Sequence, residues 1–202
     1  MTGNRATAIR STMLTFTLDT NCIIALENNE PAAHAIRALV DAHERYEANV
    51  AIVAISASER QMDRQQLKSF AEFQQRLATL GLGTLEILRP ILYWDIAFWD
   101  WCLWADEEML ALERQIHEVL FPTVPFLWPD FCAANGLDSA ASPFNSKWSN
   151  HKCDVLALWS HVNAKRAVFV TSDGNFHKKG PALIALGTGQ IERPGTAVTL
   201  MR

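Results

Sequence analysis

Six consecutive apolar residues, Val50-Ala51-Ile52-Val53-Ala54-Ile55, stand in the first third of the chain. A run this short, β-branched and unbroken does not alternate between faces, so it reads as a strand covered by protein on both sides. Strands of that kind belong to parallel sheets, whose crossovers are helices. The neighbouring segments supply such an order. Leu14-Thr15-Phe16-Thr17-Leu18 alternates apolar and polar residues and leads into Asp19-Thr20-Asn21; from there Cys22 to Leu26 can begin a helix capped by Asp19 or Thr20. Pro31 suits the first turn of another helix, with Ala35, Ile36, Leu39 and Val40 on one face. After the apolar run, Ser56 reads as an N-cap with Glu59 at the capping-box spacing, and a long polar helix is expected to about Leu80.

The second half resumes the alternation. Residues 150–164 read as a helix and Ala167 to Val170 as a buried strand that ends in Thr171-Ser172-Asp173-Gly174. Pro181 to Leu186 gives a short helix, and Thr196 to Met201 a last strand. The expectation is a loose arm over residues 1–13 and a single α/β domain over 14–202. Between the halves, residues 84–149 differ in character: six of the seven tryptophans fall there, followed by Pro122, Pro125, Pro129 and Pro143. This segment reads as a Trp-rich helical insertion. Trp94, Phe98, Trp101 and Trp104 at helical spacing form a packing stripe or, less simply, an aromatic platform for bases.

Charge narrows the function classes. Eighteen Lys and Arg against 22 Asp and Glu give a formal charge of −4, which argues against a chain that grips nucleic acid by bulk positive charge. It leaves open an enzyme that reaches phosphates through metal ions held by carboxylates. The average also conceals unlike regions. Residues 100–118 hold six acids and one Arg, whereas residues 151–180 hold five Lys and Arg against two Asp. The four cysteines lie far apart, which argues against a disulfide framework and a zinc knuckle. The longest apolar run, Ile91 to Trp104, is interrupted by Asp95 and Asp100 and falls short of the roughly 20 residues a membrane span needs. With no apolar segment before Leu14, the expected setting is a soluble protein in the reducing cytoplasm.

In a parallel sheet, ligand sites form beyond the carboxyl ends of the strands. Asp19 directly follows the first strand, Glu59 stands one helical turn after the second, and Asp173 closes the strand ending at Val170. Asp154 is placed by the same reading in the first turn of the helix that feeds that strand. Each acid alone has a structural explanation as a cap or turn former. Together on one sheet edge they would repel one another without a counter-charge, and oxygen-only ligands point to Mg²⁺ or Mn²⁺.

At these residues the sequence resembles the PIN-domain nucleases. Leu18-Asp19-Thr20-Asn21 is similar to that family's opening strand-end motif, and Ile55-Ser56-Ala57-Ser58-Glu59 to the segment bearing its glutamate. His151-Lys152-Cys153-Asp154-Val155-Leu156-Ala157 resembles the third motif, and Val170-Thr171-Ser172-Asp173-Gly174-Asn175-Phe176 the Thr-x-Asp stretch followed by Phe. The resemblance covers roughly residues 14–80 and 150–202. It implies an α/β, three-layer PIN-like fold with a central, mostly parallel sheet, and one or two Mg²⁺ or Mn²⁺ ions held by Asp19, Glu59, Asp154 and Asp173. Glu27 takes the place of Glu59 if the second motif has slipped. Asn21, Thr171 and Ser172 are expected to orient ligands or water, with Asn175 standing where family members often carry another acid. Lys152, Lys178 and His177 are the candidate substrate contacts. The implied activity is metal-dependent endoribonuclease cleavage, possessed by many small members as the toxin of a toxin–antitoxin pair, dimeric and held by a small antitoxin protein. Two rivals remain. One is a PIN-like scaffold without turnover. The other is a phosphatase or receiver pocket, against which Asp19-Thr20-Asn21 lacks a second aspartate two residues on.

Overall fold

A computed structural model describes residues 13–57, 70–93, 96–97, 101–140, 142 and 146–201. Among these residues five strands form one sheet: β1 (Thr15–Leu18), β2 (Asn49–Val53), β3 (Glu86–Leu88), β4 (Val168–Val170) and β5 (Gln190–Glu192). Their order across the sheet is β3-β2-β1-β4-β5, and every neighbouring pair is parallel. The apolar run therefore lies beside the centre, as its lack of alternation requires. Val50 and Ile52 face one buried cluster, and Ala51 and Val53 face the other.

Helices cover both faces and complete three layers. Residues of α1 (Thr20–Glu27), α2 (Ala33–Glu44) and α3 (Phe70–Thr79) share one cluster with Phe16, Leu18, Val168 and Val170. On the other face, α4 (Glu107–Leu120), α5 (Trp128–Asn135), α6 (Ser146–Asn163) and α7 (Gly174–Ala185) enclose Phe169. Phe16 and Phe169 are fully buried from opposite faces, each contributing about 1.5–3 kcal/mol of apolar transfer free energy. The last helix, α8 (Pro194–Thr199), joins the first layer through buried Ala197. Among the described residues no helix is long and apolar enough to cross a membrane.

Several expectations change. Thr196 to Met201 is not a strand: Pro194 opens α8, whose inward face packs on the core in spite of its β-branched residues. The last strand comes earlier, at β5, which is only three residues long. It is placed by Gly189, where φ is +62° and an added Cβ would lie 2.3 Å from the Ala167 carbonyl oxygen. β3 also falls inside the stretch assigned to the insertion, so the inserted helices begin after Leu88. Ser56 sits in a 3₁₀ turn, Ala54–Ala57, with its hydroxyl against that of Thr20 at 2.8 Å. The rest of the predicted capping box, including Glu59, lies outside the described residues.

The tryptophan stripe is not a helix where it is described. Leu103 forms a parallel bridge to Ile91, and Trp101 stacks on Phe70 with centroids 4.8 Å apart while donating to the Ile87 carbonyl. Trp94 and Phe98 lie outside the described residues. Trp128 and Trp148 are buried core residues, whereas Trp104 is exposed.

Candidate active site

β1 ends at Leu18, and the Asp19 N–H continues the ladder by donating to the Val170 carbonyl at 3.0 Å. The Asp19 side chain then caps α1, accepting at Oδ1 from the Thr20 N–H at 2.8 Å. Its Oδ2 accepts from the Asn21 amide at 2.6 Å and from the Thr171 hydroxyl at 2.7 Å. That hydroxyl is a hub. It also accepts from the Asn21 amide at 2.8 Å and from the Asp173 N–H at 3.0 Å. Asn21 Oδ1 in turn accepts from the Ser172 N–H at 2.9 Å. Two strand ends separated by about 150 residues are thus tied around one carboxylate.

Asp19 is only 3% exposed. Burial pushes its pKa from 3.8 up to about 6, and the charge of Asp173 pushes the same way against the lowering hydrogen bonds from Thr171, Thr20 and Asn21. Asp173 caps α7 by accepting from the Asn175 N–H at 2.7 Å. An open cleft of about 290 Å³ is lined by Asp19, Thr20, Asn21, Ile24, Asp154, Ser172 and Asp173. Three of the four predicted acids line that one cleft. The fourth, Glu59, lies outside the described residues.

Other predicted residues stand elsewhere. Glu27 takes part in a two-pronged ion pair with Arg76, at 2.5 and 2.6 Å, which commits both of its oxygens on α1. Asp154 is in the middle of α6 rather than its first turn, because the helix already includes Ser146 and the buried Trp148; the helix N-terminus therefore does not explain it. The Asn175 amide donates to the Leu120 carbonyl at 3.3 Å. His177 packs its Nε2 on the Thr171 carbonyl at 2.9 Å.

Lys152 is not a substrate contact. It is 1% exposed, pairs with Glu113 at 2.7 Å, and its ammonium lies over the rings of Phe126 and Tyr93 at 3.9 and 4.6 Å. Arg166 is likewise internal, bonded to the Phe16 and Asn49 carbonyls. Two of the five cations behind the expected positive surface are therefore structural, and the exposed Lys178 is not among the cleft-lining residues. Sequence reasoning missed Arg193, which donates from Nη1 to the Ser172 carbonyl at 3.2 Å, because the strand that delivers it was misplaced.

The cleft offers oxygen donors of the kind Mg²⁺ and Mn²⁺ take. Asp19 is a carboxylate buried beside a second carboxylate, a pair whose repulsion a cation would offset. Among the described residues, however, no three His, Cys, Asp or Glu side chains are grouped tightly enough to hold a metal ion by themselves.

No family model matches the chain, and no curated protein matches it. Among solved structures it is similar to the crystal structure of VapBC2 from Rickettsia felis bound to a DNA fragment from their promoter. The two share 15% identity over 89% of this chain and 98% of that chain, with a TM-score of 0.41.

Proposed function

We propose that the chain is a metal-dependent nuclease that hydrolyses phosphodiester bonds in RNA. The observation that carries the reading is the joint placement of Asp19, Asp154 and Asp173 in one cleft beyond the ends of β1 and β4. These three, with Glu59 as the fourth acid, would hold one or two Mg²⁺ or Mn²⁺ ions. Bound there, a divalent ion supplies Lewis acidity that activates water at neutral pH and offsets charge on the phosphate. Thr171 and Asn21 fix the rotamer of Asp19 through hydrogen bonds to Oδ2. Asp173 is held by its role as the cap of α7.

The direct test is cleavage of end-labelled RNA with Mg²⁺ or Mn²⁺ by the wild type, Asp19→Asn and Asp173→Asn. Loss of at least about a hundredfold in rate is expected in each variant, the size of removing a group that stabilises the transition state. Unchanged rates in both would overturn the assignment. The role of a toxin, a homodimer restrained by a small antitoxin protein, belongs to the same proposal and rests on the motif resemblance. It predicts arrest of bacterial growth on induction of the wild type but not of Asp173→Asn.

A second reading is a PIN-like scaffold without turnover. It is favoured by the lack of a pre-grouped ligand trio among the described residues, and by Asn175, whose amide is committed to Leu120. Titration with Mn²⁺ separates the two readings, since a scaffold that has lost the centre shows no saturable binding.

A further inference from the structure

We infer that Arg193 grips a phosphate of the substrate strand at the mouth of the acidic cleft, an inference that rests on the nuclease reading above. Among the described residues, those lining the cleft include three carboxylates and no Lys or Arg. A polyanionic strand entering it meets negative charge unless a cation stands at the rim. Arg193 is such a cation, tied to the lining by the hydrogen bond from Nη1 to the Ser172 carbonyl at 3.2 Å. The residue is exposed, and its guanidinium makes no ion pair among the described residues. One neutral hydrogen bond leaves most of its five N–H donors for a ligand, in the planar fork that matches phosphate oxygens.

The backbone beneath it is fixed. Glu192 pairs with Val170 in the β4–β5 ladder, its carbonyl accepts from the Thr171 N–H at 2.9 Å, and buried Pro194 begins α8 directly afterwards. Arg193 is therefore held beside Thr171 and Ser172, the residues that continue into Asp173. Two other residues that a substrate could meet near this edge are placed differently. Lys178 lies further along α7 and outside the lining, and the His177 ring is engaged with the Thr171 carbonyl.

The experiment measures binding of a fluorescein-labelled single-stranded RNA oligonucleotide by anisotropy, over a range of salt. Asp173→Asn serves as the non-cleaving parent, compared with Asp173→Asn carrying Arg193→Ala, Arg193→Lys or Lys178→Ala. Because the Arg193 side chain makes no capping hydrogen bond to α8, the alanine variant is expected to fold, which thermal melting checks. Arg193→Ala is expected to weaken binding about tenfold, the loss of one charge-assisted phosphate contact. It should also lower the slope of log affinity against log salt by about 1. Arg193→Lys should restore the slope but only part of the affinity, and Lys178→Ala should match the parent. If the parent binds and Arg193→Ala equals it in affinity and slope, the inference about Arg193 fails and the nuclease reading survives. If the parent does not bind RNA even at low salt, both fail together.

Discussion

The carboxylate of Asp173 commits Oδ1 to the N–H of Asn175 as the cap of α7, while Oδ2 has no hydrogen-bond partner among the described residues. A substitution can separate those two roles. Asparagine caps helices about as well as aspartate, so Asp173→Asn keeps the cap. It also removes the charge that pushes the Asp19 pKa upward. Urea unfolding in EDTA should therefore place the variant within about 0.5 kcal/mol of the wild type. In Mn²⁺ the two should part, with the melting temperature rising for the wild type and staying put for the variant. An equal Mn²⁺-induced rise in both would remove Asp173 from the ligand set. Asp19 is a less clean probe. Its two oxygens accept from three donors, so an asparagine amide there must turn its N–H₂ toward at least one of them.

Among the elements, α4 and α6 are joined by the ion pair of Glu113 and Lys152, each no more than 1% exposed. The Lys152 pKa is lowered, chiefly by burial, with the Glu113 charge opposing that shift. Lys152→Met would leave the buried Glu113 carboxyl without its partner, at a cost of about 3–5 kcal/mol, whereas Lys152→Met with Glu113→Leu should recover most of that loss. Urea midpoints of the three proteins test this, and a single variant as stable as the double one would refute it. The pair also marks where a sequence stops being legible. Lys152 looks like a surface cation until a carboxylate 39 residues away turns out to share its pocket. The strands β1, β2 and β4 were readable because their patterns are local. β3 and β5 were not, because three residues carry too little periodicity to be told from loop. That loss propagated to the site: Asp19 and Asp173 could be placed from strand ends, whereas Asp154 was expected in a helix's first turn and stands mid-helix, and Arg193 could not be placed without β5.

For the molecule as a whole, two buried titrations of opposite sign shape stability against pH. His161 lies within hydrogen-bond distance of the Thr17 hydroxyl and the Thr188 carbonyl, both at 2.8 Å, which links α6 to β1 and to the turn before β5. Burial lowers its pKa from 6.5 to about 4, with the Arg166 charge adding to the effect and the Thr188 hydrogen bond opposing it. The folded state thus binds a proton less readily than the unfolded chain. The stability His161 contributes is present above pH 6.5 and is lost as pH falls through 4, about 3 kcal/mol in all. Asp19 behaves in reverse. Its pKa rises from 3.8 to about 6, so its contribution is complete below pH 3.8 and is lost, again by about 3 kcal/mol, as pH climbs through 6. Between pH 4 and 6 the two slopes oppose each other, and the metal-free protein should show little net dependence from this pair. His161→Gln should expose the Asp19 limb, a stability that falls as pH rises across that window. Asp19→Asn should expose the His161 limb, rising over the same range. Urea unfolding free energies at half-unit steps in EDTA measure both, and parallel curves for the two variants would contradict the opposition. Added Mn²⁺ acts on one limb alone: by favouring ionised Asp19 it should stabilise the protein more at pH 7 than at pH 5, and leave the His161 limb unchanged.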